Sequence, residues 1–311
     1  MKILILGAGG TGGYFGGRLH QAGADITFLV RAVRAQHIAT HGLMLESPKD
    51  KVTLQVKTVL AEQVKPEYDV VILSCKAYDL ASSIAAITPA MGSHACSTCI
   101  LPLLNGMAHI DTLDAAFGKP RVMGGACQIA ATLTPEGVVK SLMEFQQLVW
   151  GARHPAHAAL AQALGPVFAA TELGWTVSDN IMQDMWEKVT FLSTLAGMTC
   201  LMRGSVGDIL AAPGGAHAIA RYLDACIAIA TKEGYAPRTA AIERFRSILS
   251  APGSTLTASM LRDVEGGGPI EADHIVGFML DKARSHGVDD GMLAVAYTHL
   301  KAYEARRARG H

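Results

Sequence analysis

The feature that most constrains the fold is a glycine motif close to the start of the chain. The apolar run KILIL at residues 2–6 predicts a buried strand, and GAGGTG at residues 7–12 follows it directly and opens a segment with helical spacing. In such a strand–turn–helix, Gly7 permits the tight turn, Gly9 lets the backbone approach a pyrophosphate, and Gly12 lets the helix pack closely on the strand. The helix N-terminus adds N–H donors and a positive dipole. The motif therefore predicts a dinucleotide-binding α/β domain.

Further apolar runs of strand length predict the rest of this domain. They lie at residues 26–30, 69–74 and 98–104, with helical segments between them. This alternation predicts a parallel sheet covered by helices on both faces. From residue 121, strand-like runs follow one another closely, and we expect them to extend that sheet by antiparallel or mixed pairing. We predict an N-terminal Rossmann domain, a doubly wound and mostly parallel sheet, over residues 1–178.

The remainder of the chain has helical spacing almost to its end, and 311 residues are enough for two domains. Ser178, Asp179 or Asn180 can cap a long helix at the start of this region. Further helices are predicted at residues 207–232, 239–249, 255–264 and 270–286. We therefore predict an all-helical C-terminal domain over residues 179–311 that carries the substrate and the catalytic groups.

Charge and hydropathy exclude several classes of partner. Lys plus Arg equals Asp plus Glu at 27 each, so no global field attracts nucleic acid or an anionic membrane. No apolar run reaches the roughly 18 residues of a membrane helix, and no secretory leader is recognised. We expect a cytoplasmic enzyme with a small-molecule substrate. The apolar excess of the helical domain suggests a homodimer as a hypothesis.

The cysteines and histidines predict no metal site. Six cysteines show no disulfide framework, which favours a reducing compartment. Cys96 and Cys99 form a single CxxC, which we interpret as structural because no second pair accompanies it. The twelve histidines are scattered without the spacing of metal ligands.

A cation at the end of the second strand indicates the cofactor. NAD-binding domains place an acid there, which accepts hydrogen bonds from the ribose 2′-hydroxyl. Here the stretch ITFLVRA ends the strand in Arg31, whose guanidinium complements a 2′-phosphate, and Lys76 follows the third strand in SCKAYD. The alternative is that both cations simply solvate loop ends. Together they favour NADP.

Polar residues at two further places are candidates for the substrate site. Asn105 follows the fourth strand in PLLNGM, although an Asn-Gly turn alone explains an asparagine there. Lys188 lies within an otherwise apolar helix and is a candidate proton donor, with a snorkelling lysine as the alternative. Ser259, Asp263 and Glu271 follow, and from its position alone Glu271 is better explained by a capping role.

These stretches together resemble the ketopantoate reductase (2-dehydropantoate 2-reductase) family over essentially the whole chain. The matching segments are ILGAGGTGGYFGGRL, FLVR, SCKAYD, LLNGM, MWEKV and SMLRDVEGGGPIEADHIVGFMLDKARSHGV. The resemblance implies reduction of 2-dehydropantoate to (R)-pantoate with NADPH, in the pathway to pantothenate. It also implies a Rossmann domain followed by a helical domain.

The resemblance assigns roles to individual residues. Gly7, Gly9 and Gly12 would hold the pyrophosphate, and Arg31 and Lys76 would bind the 2′-phosphate. The remaining roles are Lys188 as general acid, Glu271 as its catalytic partner, Asn105 at both nicotinamide and substrate, and Ser259 as a substrate contact. For Glu271, the resemblance thus implies a catalytic role in place of helix capping.

One departure bears on the substrate. The family carries asparagines four and eight residues beyond the lysine, on the same helix face, whereas this chain has Leu192 and Ala196. Loss of a buried hydrogen bond costs about 1–3 kcal/mol, so a member that reduces a different 2-oxo acid is the main alternative. A non-catalytic NADP-binding sensor, and a relative among the β-hydroxyacid dehydrogenases, are disfavoured by Lys188, Glu271 and the SMLRD stretch.

Overall fold

The computed structural model describes residues 1–92 and 98–310, and the chain forms two compact units. The first, here called the Rossmann unit, comprises Met1–Leu104 and Ile110–Ile181. The second, the helical unit, comprises Asn105–His109 and Met182–His311. The boundary predicted after residue 178 stays a prediction. Cys96 of the predicted CxxC pair lies outside the described residues.

The elements of the first part of the chain alternate between strands and helices. The strands are β1 (Lys2–Leu6), β2 (Asp25–Leu29), β3 (Leu43–Glu46), β4 (Lys51–Leu54), β5 (Lys57–Val59), β6 (Val70–Leu73), β7 (Cys99–Pro102), β8 (Gly124–Gln128), β9 (Ala131–Leu133), β10 (Val139–Ser141), β11 (Gln147–Gly151) and β12 (Gly174–Ser178). The helices are α1 (Gly10–Gln21), α2 (Ala32–His41), α3 (Leu80–Met91), α4 (Ala108–Phe117) and α5 (Ala158–Ala169).

A five-stranded parallel sheet forms the centre of the Rossmann unit. Its order is β5–β2–β1–β6–β7, and every pairing in it is parallel. Along β1, Ile3 and Ile5 pack into one apolar cluster and Leu4 and Leu6 into another, so both faces of the sheet are covered. The predicted Rossmann class is confirmed. The strand order reverses at β1, which places a ligand-binding crevice at the carboxyl end of that strand.

The strands after residue 121 do not extend this sheet as expected. Strands β8 to β12 instead contribute to two smaller sheets, ordered β4–β3–β10–β9 and β12–β11–β8. The reason is the β3–β4 hairpin, which offers an edge that β10 joins through Val139 opposite Leu45. An isolated parallel bridge between Ile100 and Val122 links this region to the edge of the parallel sheet at β7.

The second part of the chain is helical, as predicted. Its helices are α6 (Ile181–Met202), α7 (Val206–Ala211), α8 (Gly215–Lys232), α9 (Thr239–Leu249), α10 (Ser259–Glu265), α11 (Phe278–His286) and α12 (Gly291–Ala308). Among the described residues, none of these helices or the earlier ones is both long and apolar enough to cross a bilayer.

Three helix predictions need correction. The helix expected over 207–232 is split between α7 and α8, because Pro213 cannot continue a helix and Gly214 adopts a left-handed conformation with φ +82°. The helix expected from 255 begins only at Ser259. The helix expected over 270–286 contains a π-helical turn at Asp273–Gly277 before α11.

Candidate active site

The glycine motif forms an open cradle between β1 and α1. Gly7 adopts φ +92° and its N–H donates to the carbonyl of Leu29 at 2.9 Å. A Cβ on Gly12 would overlap Ser74 Oγ, so only glycine lets the helix approach the sheet there. Within residues 1–92 and 98–310, in contrast, a Cβ on Gly9 would meet nothing within 4 Å, and no side chain caps α1. The cradle has space and unsatisfied N–H groups for a dinucleotide pyrophosphate.

The two predicted cofactor cations follow strands on either side of β1. Leu6 pairs with Leu29 of β2 and with Leu73 of β6, so the carboxyl ends of the three strands are aligned. Arg31 occupies the N-cap of α2 with its side chain 82% exposed, and Lys76 begins the turn before α3. Both cations therefore lie at the edge of the sheet that holds the glycine motif.

The structure shows two further residues near the glycine motif whose contacts the sequence analysis does not predict. Arg34 donates from Nε to the carbonyl of Ala8 at 3.2 Å and from Nη1 to that of Gly137 at 2.9 Å, so it supports the glycine loop from behind. Asp79 accepts a hydrogen bond from Arg31 at 3.3 Å. The spacing of Arg34, one helical turn after Arg31, was the one available sequence signal.

Within the helical unit, the structure brings Lys188 and Asn105 together. Lys188 is half-buried on α6, and its Nζ donates to Asn105 Oδ1 at 3.3 Å across 83 residues of chain. Asn105 is set by the turn into Gly106, which adopts φ +77°. A Cβ on Gly106 would overlap the carbonyl oxygen of His274, so the Asn-Gly turn packs closely against the π-helical turn.

Ser259 and Glu271 belong to the same unit as this hydrogen bond. Ser259 is the first residue of α10, and Glu271, 6% exposed, lies just before the π-helical turn. In the described part of the chain, Asn105 is the hydrogen-bond partner of Lys188. The backbone carbonyl of Asp263 accepts from Gly268 at 2.8 Å, which closes the glycine-rich turn after α10. The roles of Ser259 and Glu271 stay predictions.

The residue next to the lysine anchors its helix. Glu187 is 5% exposed, and its carboxylate accepts hydrogen bonds from the Arg238 side chain at 2.7 Å and from the Arg238 backbone at 2.9 Å. Burial raises the pKa of Glu187, but these hydrogen bonds outweigh it and the net pKa is lowered. Glu187 is therefore a buried carboxylate held by a cation, and it fixes the rotation of α6 at Lys188.

The face of α6 that carries the lysine is apolar beyond it. Leu192 is half-buried and Ala196 fully buried. Two of the neighbouring buried hydroxyls are used within the helix: Thr194 donates to the carbonyl of Thr190 at 2.9 Å and Thr199 to that of Leu195 at 2.7 Å. The buried hydroxyls of Thr190 and Ser193 have no hydrogen-bond partner among the described residues. Thr194 and Thr199 therefore do not replace the missing amides on the lysine's face.

The parallel sheet, the glycine cradle and the helical unit with its lysine define a Rossmann-type nucleotide-binding protein. Two family descriptions match the chain, "Ketopantoate reductase PanE/ApbA" over residues 3–154 and "Ketopantoate reductase PanE/ApbA C terminal" over residues 180–304. The chain belongs to this family of oxidoreductases.

Similar proteins carry several names. "Uncharacterized oxidoreductase YkpB" of Bacillus subtilis is 34% identical over 99% of this chain and 100% of its own length. A 2-dehydropantoate 2-reductase of Halobacterium salinarum is 24% identical over 93% of this chain and 94% of its own.

Solved structures share the fold at low identity. A ketopantoate reductase of Ralstonia eutropha superposes with TM-score 0.87 at 24% identity, covering 99% of this chain and 100% of its own. A D-mandelate dehydrogenase with NADH and anilino(oxo)acetate also gives TM-score 0.87, at 23% identity over 99% of both chains. At these identities the likeness establishes the fold.

Proposed function

We propose that this protein reduces a 2-oxo acid to the 2-hydroxy acid with NADPH, and that its first candidate substrate is 2-dehydropantoate, reduced to (R)-pantoate for pantothenate synthesis. The observation that carries the proposal is the hydrogen bond between Lys188 and Asn105, found in a chain whose Rossmann unit has a dinucleotide cradle. The family match and the reductases among its relatives support it.

The nicotinamide, when bound, supplies a hydride to C2 of the 2-oxo acid. Lys188 provides the rest of the chemistry on the ketone oxygen. Its ammonium has three N–H donors, and Asn105 accepts one of them. A remaining donor can bind the ketone oxygen, stabilise the negative charge that grows on it, and deliver the proton that completes the alcohol. Solvent then reprotonates the lysine.

The groups around Lys188 have supporting roles in this proposal. Asn105 orients the ammonium and presents its amide N–H₂ to substrate or cofactor. Glu271 would bear a negative charge close to the reaction and Ser259 a hydroxyl for the substrate, as the family resemblance implies. Both roles agree with a position in the same unit as the lysine.

The test is NADPH oxidation by the purified protein with 2-dehydropantoate. Removal of a general acid lowers turnover by about 10²–10⁴-fold, so Lys188→Ala is expected to lose activity to that extent while NADPH binding is retained. Lys232→Ala, an exposed lysine in the last turn of α8, is the matched control and should leave kcat unchanged. Equal activity of wild type and Lys188→Ala would contradict the assignment.

A second candidate function is reduction of a 2-oxo acid with an apolar side chain. The observation that favours it is the apolar face at Leu192 and Ala196, together with the hydroxyls of Thr194 and Thr199, which bond within the helix. A hydroxylated substrate finds no amide partner there, whereas an apolar side chain loses nothing by burial.

A panel of 2-oxo acids distinguishes the two candidates. If the apolar face selects the substrate, branched or aromatic 2-oxo acids give a higher kcat/KM than 2-dehydropantoate. Leu192→Asn should then shift the ratio toward 2-dehydropantoate by about tenfold, the worth of one hydrogen bond. Preference of the wild type for 2-dehydropantoate, unaltered by Leu192→Asn, would reject the second candidate.

A further inference from the structure

An ion pair in the Rossmann unit lies across the predicted nucleotide crevice. Arg31 Nη2 and Asp79 Oδ1 are 3.3 Å apart. Among the described residues, this ion pair is the polar contact that the Arg31 side chain makes. Arg31 follows β2 and Asp79 follows β6, and these strands flank β1 on opposite sides. Adjacent strands are about 4.8 Å apart, so the two strands that these residues follow are about 10 Å apart, on either side of β1.

The end of β1, between those two strands, is where a dinucleotide has to lie. The strand order reverses at β1, and the glycine cradle follows that strand. In this class of fold the adenosine ribose binds at the end of the second strand. A 2′-phosphate on that ribose would approach the guanidinium of Arg31 and, with it, the carboxylate of Asp79.

Asp79 does not act as a helix cap, although it lies at a helix N-terminus. It occupies the N-cap of α3, where a carboxylate commonly accepts hydrogen bonds from the first-turn N–H groups, but its side chain makes no capping bond. The carboxylate is directed to Arg31 instead and is 41% exposed. Its replacement therefore removes a charge from the crevice without removing a cap.

We propose that Asp79 determines the choice between the phosphorylated and unphosphorylated nicotinamide cofactor by competing with the 2′-phosphate for Arg31. This inference rests on the proposed function, since it requires that the cradle binds a nicotinamide dinucleotide. NADPH has to replace or share the carboxylate at Arg31 and also bears a like charge beside it. NADH carries no such group, and its 2′-hydroxyl can donate to Asp79. The carboxylate thus weakens preference for NADPH.

The experiment measures Kd for NADPH and NADH by nicotinamide fluorescence, on the full chain and without a 2-oxo acid. Asp79→Asn keeps the shape and removes the charge, and we expect it to tighten NADPH binding about two- to fivefold, as an exposed ion pair allows. NADH affinity should stay unchanged or fall. Asp25→Asn is the matched control, because it breaks an ion pair of similar exposure with Lys57 at the opposite end of β2.

A double-variant cycle tests the competition itself. Arg31→Ala should weaken NADPH and leave NADH nearly unchanged. If Asp79 acts by occupying Arg31, then Asp79→Asn tightens NADPH less in the Arg31→Ala background than in wild type. The NADPH advantage of Asp79→Asn should also shrink as ionic strength rises, since exposed charges are screened.

The outcomes separate this inference from the proposed function. Wild type that binds either dinucleotide, with an NADPH-to-NADH ratio that Asp79→Asn leaves unaltered, overturns the inference alone. Equal changes for both cofactors also overturn it, because they indicate a structural role. Wild type that binds neither dinucleotide overturns the proposed function and this inference with it.

Discussion

At the scale of single residues, the position of Asn105 depends on the glycine that follows it. Gly106 lies in the left-handed region, where an L side chain is strained, and it packs against the carbonyl of His274. Sequence reasoning explained Asn-Gly by turn chemistry alone. The structure adds a steric reason, because the glycine lets the turn meet the π-helical segment.

Gly106→Ala is expected to lower both stability and turnover. Strain at φ +77° and the overlap with His274 together predict a loss of about 2–4 kcal/mol in the free energy of unfolding. Displacement of Asn105 also weakens its hydrogen bond to Lys188, so kcat falls. Gly234→Ala isolates the strain, because Gly234 has φ +89° and a Cβ there meets nothing within 4 Å. Denaturant titration of both variants that gave equal losses would contradict the steric account.

The Arg18–Asp50 pair predicts a pH dependence of stability. Two hydrogen bonds from the Arg18 guanidinium, at 2.5 and 2.7 Å, lower the pKa of Asp50 from its ordinary 3.8 to about 2. A carboxyl with a lowered pKa stabilises the fold above its unfolded pKa and loses that contribution as pH falls toward its folded pKa. Because Asp50 is 37% exposed, we expect only about 1 kcal/mol from it at neutral pH.

Unfolding of wild type and Asp50→Asn as a function of pH measures this contribution. The difference between them should be constant above about pH 5 and should be mostly lost by pH 2, where Asp50 is half-protonated in the folded state and almost fully protonated in the unfolded state. Asp224→Asn, which breaks a more exposed ion pair with Arg246, should show a smaller difference at neutral pH. A difference that grew on acidification would contradict the assignment.

At the scale of elements, α6 is held near Lys188 by one buried carboxylate. Glu187 accepts from both the side chain and the backbone of Arg238, at the N-cap of α9, and Gln183 donates to it at 3.1 Å. The lysine is the next residue along the helix. The ion pair therefore couples the position of Lys188 to the start of α9.

Arg238→Ala should destabilise the protein by leaving Glu187 buried without its cation. A fully buried pair broken this way costs about 3–5 kcal/mol, and because Arg238 is 59% exposed we expect about 1–3 kcal/mol. Adding Glu187→Gln should recover part of the loss, since the unpaired charge is then gone. Thermal unfolding of both variants beside Arg246→Ala, an exposed control, measures the effect. No recovery in the double variant would show that packing, and not charge, is responsible.

At the scale of the whole molecule, strands that are buried on both faces could be predicted from the sequence, whereas partly exposed strands could not. β1, β2, β6 and β7 are apolar on both faces, so their own residues identify them, and the bounds of α9 match the predicted 239–249. The β3–β4 hairpin escaped notice because its strands are short and half-exposed. Its partner, β10, is about 90 residues distant, and only tertiary pairing reveals it.

The site shows the same division between local and distant information. The roles of the glycine motif and of Arg31 were predicted from short stretches of sequence by physical reasoning alone. The contact of Lys188 with Asn105 spans 83 residues, and only the family resemblance connected the two. Arg34 and Asp79 act through residues 26 and 48 positions away, which no short motif encodes.

The burial of two cysteine thiols predicts which cysteines of the folded protein react with an alkylating reagent. Burial raises the pKa of Cys200 and of Cys226 from 9.0 to about 12, and both are fully buried in the helical unit. The thiolate is the reactive form, so neither should react with iodoacetamide in the native state at neutral pH, whereas half-buried Cys75 and Cys127 should react first. Peptide mass spectrometry after timed alkylation measures each site.

The raised pKa values of Cys200 and Cys226 also lower the free energy of unfolding at alkaline pH. A thiol with a raised pKa contributes stability in full below its unfolded pKa of 9.0 and loses it as the pH rises toward about 12, because the unfolded chain then ionises and the folded core does not. Cys226→Ala should therefore flatten the alkaline fall in the free energy of unfolding. Protection of Cys200 that ends only with global unfolding means that the helical unit opens as one cooperative body. Alkylation of Cys200 at the rate of Cys127 would instead show that α6 opens locally, and the lysine on that helix would share the motion.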